Sequence, residues 1–228
     1  MLYLLPGLLC DQHVWTHQLA HLPGEKRVAD FRGFNSLTGM AQSILDDAPA
    51  QFSVAGHSMG GRVALEIMRI APERVKKLAL LDTGVHPLAP GETERRQILV
   101  RLALAKGMKS LARQWLPPMV HPDRKNDAEL MAPLYAMVER MTPEIYKGQI
   151  NALLHRHDMR PVLSTITCPT LVATGRQDGW SPVEQHQEIA DGIKGAKLVV
   201  WEDCGHMATV ERPEQVTASL LSLFGVDD

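Results

Sequence analysis

Gly56-His57-Ser58-Met59-Gly60 places a serine between two glycines, each two residues from it. Strand-like Phe52-Ser53-Val54-Ala55 precedes this stretch, and helix-like Gly61-Arg62-Val63-Ala64-Leu65-Glu66-Ile67-Met68 follows it. A serine on so tight a strand-to-helix turn projects its hydroxyl from the sheet edge, and side chains at Gly56 and Gly60 would strike neighbouring backbone. The following helix brings its N-terminal N–H groups up to developing negative charge. Ser58 is therefore the expected nucleophile in attack on a carbonyl carbon.

A serine hydroxyl needs a base to remove its proton. Among ten histidines, His206 in Asp203-Cys204-Gly205-His206-Met207 follows a strand candidate and precedes the final helix. That puts it on a loop at the carboxyl edge of a sheet. His57 adjoins the serine, should point away from it, and is read as packing. His13, His17 and His21 are spaced i, i+4 without a completing carboxylate, so a solvated helix face and no metal are expected. The acid that orients the imidazole is expected at Asp178, just after a strand candidate; Asp82 also ends a strand and is the rival. Two backbone N–H groups should receive the oxyanion, Met59 directly after the serine and Leu8 in the loop Pro6-Gly7-Leu8-Leu9-Cys10-Asp11. Asp11 is expected to cap the helix after that loop, and Trp15 to pack it down.

Such residues need a parallel sheet to carry them. Apolar runs at Leu2-Leu5, Arg27-Ala29, Phe52-Ala55, Leu78-Leu81, Thr170-Ala173 and Lys197-Trp201 alternate with helical patterns near His13-His21, Leu37-Asp46, Gly60-Ile70, Val183-Ala190 and Pro213-Leu223. This alternation predicts a parallel sheet with helices on both faces. Between Gly84 and Thr165 no good strand appears, only helical stretches broken by prolines. Residues 84–165 are expected to form a helical cap, or lid, on a core made of residues 1–83 and 166–228. Six methionines fall there (Met108, Met119, Met131, Met137, Met141, Met159), and most should fill the cap's own small core.

The 228 residues, 45% hydrophobic and 22% charged, suit one well-buried core and not two ordinary domains. A net charge of -2 gives no pull toward nucleic acid. The apolar start Met1-Leu5 is broken by Pro6-Gly7, too short for a membrane span and unlike a leader. Three scattered cysteines (Cys10, Cys168, Cys204) read as reduced thiols of a cytoplasmic protein.

Leu4-Leu5-Pro6-Gly7-Leu8-Leu9-Cys10-Asp11, Gly56-His57-Ser58-Met59-Gly60-Gly61, Gly175-Arg176-Gln177-Asp178 and Gly205-His206 together resemble the α/β-hydrolase superfamily over nearly the whole chain. The order Ser58, Asp178, His206 is that family's chain order. Many relatives carry His-Gly where Pro6-Gly7 stands, and many begin with two further strands, so a smaller sheet near six strands is expected. The resemblance implies a serine esterase, cleaving a small to medium apolar ester, thioester or lactone through an acyl-enzyme with no cofactor or metal. Two alternatives use the same scaffold: a cofactor-free lyase or carbon–carbon bond hydrolase, and a non-catalytic ligand-binding or signalling protein. Leu9, Trp115, Met119, Tyr135 and Met207 are the pocket candidates. Arg101, Arg113, Arg140 and Lys147 are candidate carboxylate binders, with solvated surface the default for each. Substrate identity and oligomeric state are not legible.

Overall fold

In the computed structural model, which describes residues 1–225, six parallel strands form one sheet. They are β1 (Leu2–Leu5), β2 (Lys26–Val28), β3 (Phe52–His57), β4 (Val75–Leu81), β5 (Thr170–Gly175) and β6 (Lys197–Trp201). Their spatial order is β2-β1-β3-β4-β5-β6. Residues 226–228, the end of the expected core segment, lie outside the described residues. The central strands are short apolar runs buried along most of their length, as a sheet covered on both faces requires.

Ten helices accompany the sheet among the described residues: α1 (Thr16–His21), α2 (Leu37–Asp47), α3 (Met59–Ile70), α4 (Glu92–Trp115), α5 (Ala128–Glu139), α6 (Pro143–Leu154), α7 (Arg160–Leu163), α8 (Val183–Gly192), α9 (Ala208–Glu211) and α10 (Pro213–Phe224). α2 packs on α3, and α3 reaches α8 through α7, which defines one layer; α1 and α10 pack together as the other. Local chemistry starts these helices. Ser36 accepts from Gly39 N–H at 2.9 Å, Thr142 accepts from Ile145 N–H at 3.3 Å, and Pro213 opens α10 where no N–H is needed. Asp11 caps the turn Gln12–Trp15 by accepting from His13 N–H at 2.9 Å, and Trp15 is fully buried.

Between β4 and β5 the chain has no strand; it forms α4 to α7, a helical lid insertion in which α4 packs on α5 and α6. α4 bends at Gly107, whose φ of 75° is left-handed and breaks the helical ladder. The six insertion methionines are all buried, and among them only Met119 faces the cavity described below. The other five are buried in the protein's single hydrophobic core cluster.

Candidate active site

The turn from β3 to α3 holds Ser58 at φ 55° and ψ -116°, a left-handed conformation unusual for a side chain with a Cβ. It fits because both flanking glycines lack side chains. A Cβ on Gly56 would collide with the Gly60 carbonyl, and one on Gly60 with the Leu5 carbonyl. Ser58 N–H donates to Leu81 O at 2.9 Å, and Thr83 Oγ1 donates to Ser58 O at 2.8 Å, so the neighbouring strand end fixes the turn.

His206 Nε2 lies 2.8 Å from Ser58 Oγ, and its Nδ1 lies 2.8 Å from Asp178 Oδ2. The other carboxylate oxygen of Asp178 accepts N–H bonds from Trp180 at 2.8 Å and Ser181 at 2.9 Å. Burial pushes the Asp178 acid up, but the charge and hydrogen bond of His206, with those two N–H groups, outweigh it and hold the acid below the ordinary range. Asp82 is also fully buried but does not touch His206. Its Oδ1 accepts from Gly175 N–H at 3.0 Å and from Thr174 Oγ1 at 3.3 Å. Burial, and then the charge of Asp178, raises it well above the ordinary carboxylate range, whereas Asp178 is held below that range.

His57 does more than pack. Its Nε2 donates to His206 O at 2.7 Å and so helps hold the His206 backbone in place. Burial, then the charge of His206, pushes its pKa down to about 4, so the ring is neutral and its 3.8 Å approach to Asp82 is no ion pair. Glu211 ties the His206 loop to the insertion: it accepts from Gly205 N–H at 3.1 Å and from His121 N–H at 2.8 Å. Buried Gln149, on α6, accepts from Leu9 N–H at 2.9 Å and donates to Phe31 O at 3.3 Å, and so braces the loop after β1. Leu9 itself is left-handed, with φ 59°. Neither Gln149 nor Glu211 carries a motif, and only the fold brings them near.

A cavity of about 90 Å³ opens on Ser58 and His206 and is lined also by Leu8, Met59, Trp115 and Met119. Among the described residues the N–H groups of Leu8 and Met59 donate to no other group of the protein. Leu9, Tyr135 and Met207 do not line the cavity; Leu9 and Met207 are sealed in the core, and Tyr135 packs against it. Arg101, Arg113 and Lys147 are exposed, and Arg140 pairs with Asp11 at 2.7 Å. Among the described residues no cluster of His, Cys, Asp and Glu has the makings of a metal site, and no helix is long and apolar enough to cross a membrane.

Comparison with known proteins agrees with this architecture. The chain is 28% identical over 214 residues to a pimeloyl-[acyl-carrier protein] methyl ester esterase of Nitrosomonas europaea, covering 90% of this chain and 83% of that protein. It is 30% identical over 169 residues to a 2-hydroxy-6-oxo-6-phenylhexa-2,4-dienoate hydrolase of Comamonas testosteroni, covering 71% of this chain but only 58% of that protein. Among solved structures, a thermophilic esterase from Thermogutta terrifontis superposes with a TM-score of 0.88 at 27% identity, over 97% of this chain and 88% of that one. An enol-lactonase from Burkholderia xenovorans superposes with a TM-score of 0.86 at 25% identity, over 97% of this chain and 89% of that one. The model of the alpha/beta hydrolase family matches residues 2–219, and the chain belongs to that family.

Proposed function

We propose that the chain is a cofactor-independent serine hydrolase that cleaves a carboxylic ester of modest size. The observation that carries this reading is the unbroken hydrogen-bond chain Ser58–His206–Asp178, opening on a cavity lined by Leu8 and Met59. His206 takes the Ser58 proton as Oγ attacks the carbonyl carbon, and the oxyanion is received by the N–H groups of Leu8 and Met59. His206 then protonates the departing alcohol, and the acyl group remains on Oγ. Water, deprotonated by His206, attacks the acyl carbonyl and releases the acid, and the proton returns to Ser58 Oγ. Residues 84–165 act as the cap that walls the cavity with Trp115 and Met119. Three unpaired cysteines, two of them buried, support a reducing, cytoplasmic setting.

A second reading, hydrolysis of a carbon–carbon bond, is favoured by the Comamonas relative, whose named substrate, a 2-hydroxy-6-oxo-6-phenylhexa-2,4-dienoate, carries a ketone and a carboxylate but no ester. The same serine and histidine would serve it, and the substrate alone would differ. A panel of aryl esters, thioesters and lactones of graded length, run on the wild type and on Ser58→Ala, tests the ester reading. Ester turnover by the wild type that vanishes in a folded Ser58→Ala supports it. Equal turnover by both proteins, or no turnover by either, removes it.

A further inference from the structure

A larger cleft of about 650 Å³ adjoins the catalytic cavity and shares Arg62, Arg96, Trp115, Trp180 and Ser181 with it. Four arginines line this cleft (Arg62, Arg95, Arg96 and Arg156) against a single carboxylate, Glu92. Glu92 is already saturated. It accepts from Arg156 at 2.6 and 2.9 Å, from Arg96 Nε at 2.7 Å and from Ala89 N–H at 3.1 Å. Arg156 is saturated too, its remaining hydrogens going to the carbonyls of His86, Pro87 and Leu153.

Arg62 and Arg96 are different. Among the described residues Arg62 forms no ion pair, and its one side-chain hydrogen bond is a 3.2 Å contact to His86 O. The two terminal nitrogens of Arg96 have no partner there either. Burial, then the charges of Arg156 and Arg96, lowers the Arg62 pKa to about 9, so it is still charged at neutral pH. Arg62 is half-buried, and the one carboxylate that acts on it, Glu92, already has its oxygens taken by Arg156, Arg96 and Ala89 N–H, so a planar fork that matches a carboxylate is left short of acceptors.

Its position relative to the nucleophile is set by the helix. Arg62 follows Ser58 by one turn of α3, its N–H donating to Ser58 O at 3.3 Å, and residues spaced i, i+4 share a face. Leu99, Tyr146, Trp115 and Trp180 line the larger cleft beside the arginines, so an ester held at Ser58 would send a longer acyl arm past them toward Arg62 and Arg96.

We propose that Arg62, assisted by Arg96, binds a free carboxylate at the far end of the acyl chain, so that the substrates are half-esters of short dicarboxylic acids. This rests on the ester-hydrolase reading above and names its substrate class. The test compares kcat/KM for the monomethyl esters of succinic, glutaric and adipic acids with that for their dimethyl esters. The wild type should favour at least one half-ester by about 10- to 100-fold, the worth of a charge-assisted hydrogen bond. Arg62→Met should collapse that ratio to near one, mainly through KM, with Arg62→Lys restoring part of it. Its melting temperature should stay close to the wild type's, since Arg62 is half-buried and its side chain makes a single 3.2 Å hydrogen bond, to His86 O.

Calorimetric titration of glutarate into Ser58→Ala gives a readout independent of turnover. Binding that weakens at least about tenfold when Arg62→Met is added supports the site. Hydrolysis of both ester classes without preference, or a preference that survives Arg62→Met, overturns the carboxylate site and leaves the hydrolase reading intact. Glutarate binding through Arg62 without turnover of any ester keeps the site and overturns the hydrolase reading. Inorganic phosphate competing more strongly than glutarate overturns the assignment of the anion as a carboxylate.

Discussion

Asn at position 178 changes the proton and hardly the shape. An asparagine there can still accept from Trp180 and Ser181 N–H, which now lie at 2.8 and 2.9 Å from the carboxylate. Its NH2 group must then face His206 Nδ1, where Asp178 Oδ2 accepts at 2.8 Å. The imidazole is forced to accept at Nδ1 and to carry its hydrogen on Nε2, so it meets Ser58 Oγ as a donor and no longer as a base. The expected loss is about ten-thousand-fold in kcat, or about 5.5 kcal/mol of barrier. Asp82→Asn makes the opposite comparison. Burial already pushes the Asp82 carboxyl toward its neutral form, and an amide oxygen reproduces its bonds from Gly175 N–H at 3.0 Å and Thr174 Oγ1 at 3.3 Å. Its loss should stay below about tenfold. The assay is kcat/KM on p-nitrophenyl butyrate for the wild type and both variants, with circular dichroism to check folding. A loss in Asp82→Asn equal to or larger than that in Asp178→Asn would refute the assignment of the acid.

Two further outcomes are expected. Gln149→Leu strands the buried Leu9 N–H and Phe31 O, and should cost about 1–3 kcal/mol of stability in denaturant melts; it should also lower kcat about tenfold by loosening the loop that carries Leu8, and an unchanged kcat would remove that bracing role. His57 is held neutral with a pKa near 4, below the ordinary 6.5, so the unfolded chain binds the extra proton and stability falls as pH drops from 6.5 toward 4. Between about pH 7 and pH 5 this one group removes about 2 kcal/mol, and His57→Gln, which keeps a donor for His206 O, should reduce the pH dependence of urea melts by that amount; the same slope in both proteins would contradict it.

The sheet and its order of elements were legible because the central strands are short apolar runs and some helices carry a start signal, Ser36 and Pro213 among them. Ser58, Asp178 and His206 were legible because each stands just past a strand end, and parallel strands deliver such loops to one edge of the sheet. Contacts across long stretches of chain were not. Nothing around Gln149 announces that it reaches Leu9, 140 residues away, and His57 reads as packing until His206 O is found beside it. The pocket was read only in part, because Tyr135 and Met207 look like Trp115 and Met119 in sequence while packing decides which of them face the cavity. Nothing in residue type separates Arg62 from the more conspicuous insertion arginines. Its signal was its spacing, four residues after the serine on a helix that begins there.

The central claim is that Ser58 is a nucleophile activated by His206. A fluorophosphonate probe followed by mass spectrometry tests it most directly. One adduct per chain, located on the Ser58 peptide, absent from Ser58→Ala and slowed severely in His206→Ala, is the predicted result. A wild-type protein that stays unlabelled, or a Ser58→Ala protein labelled at the same rate, would contradict the account.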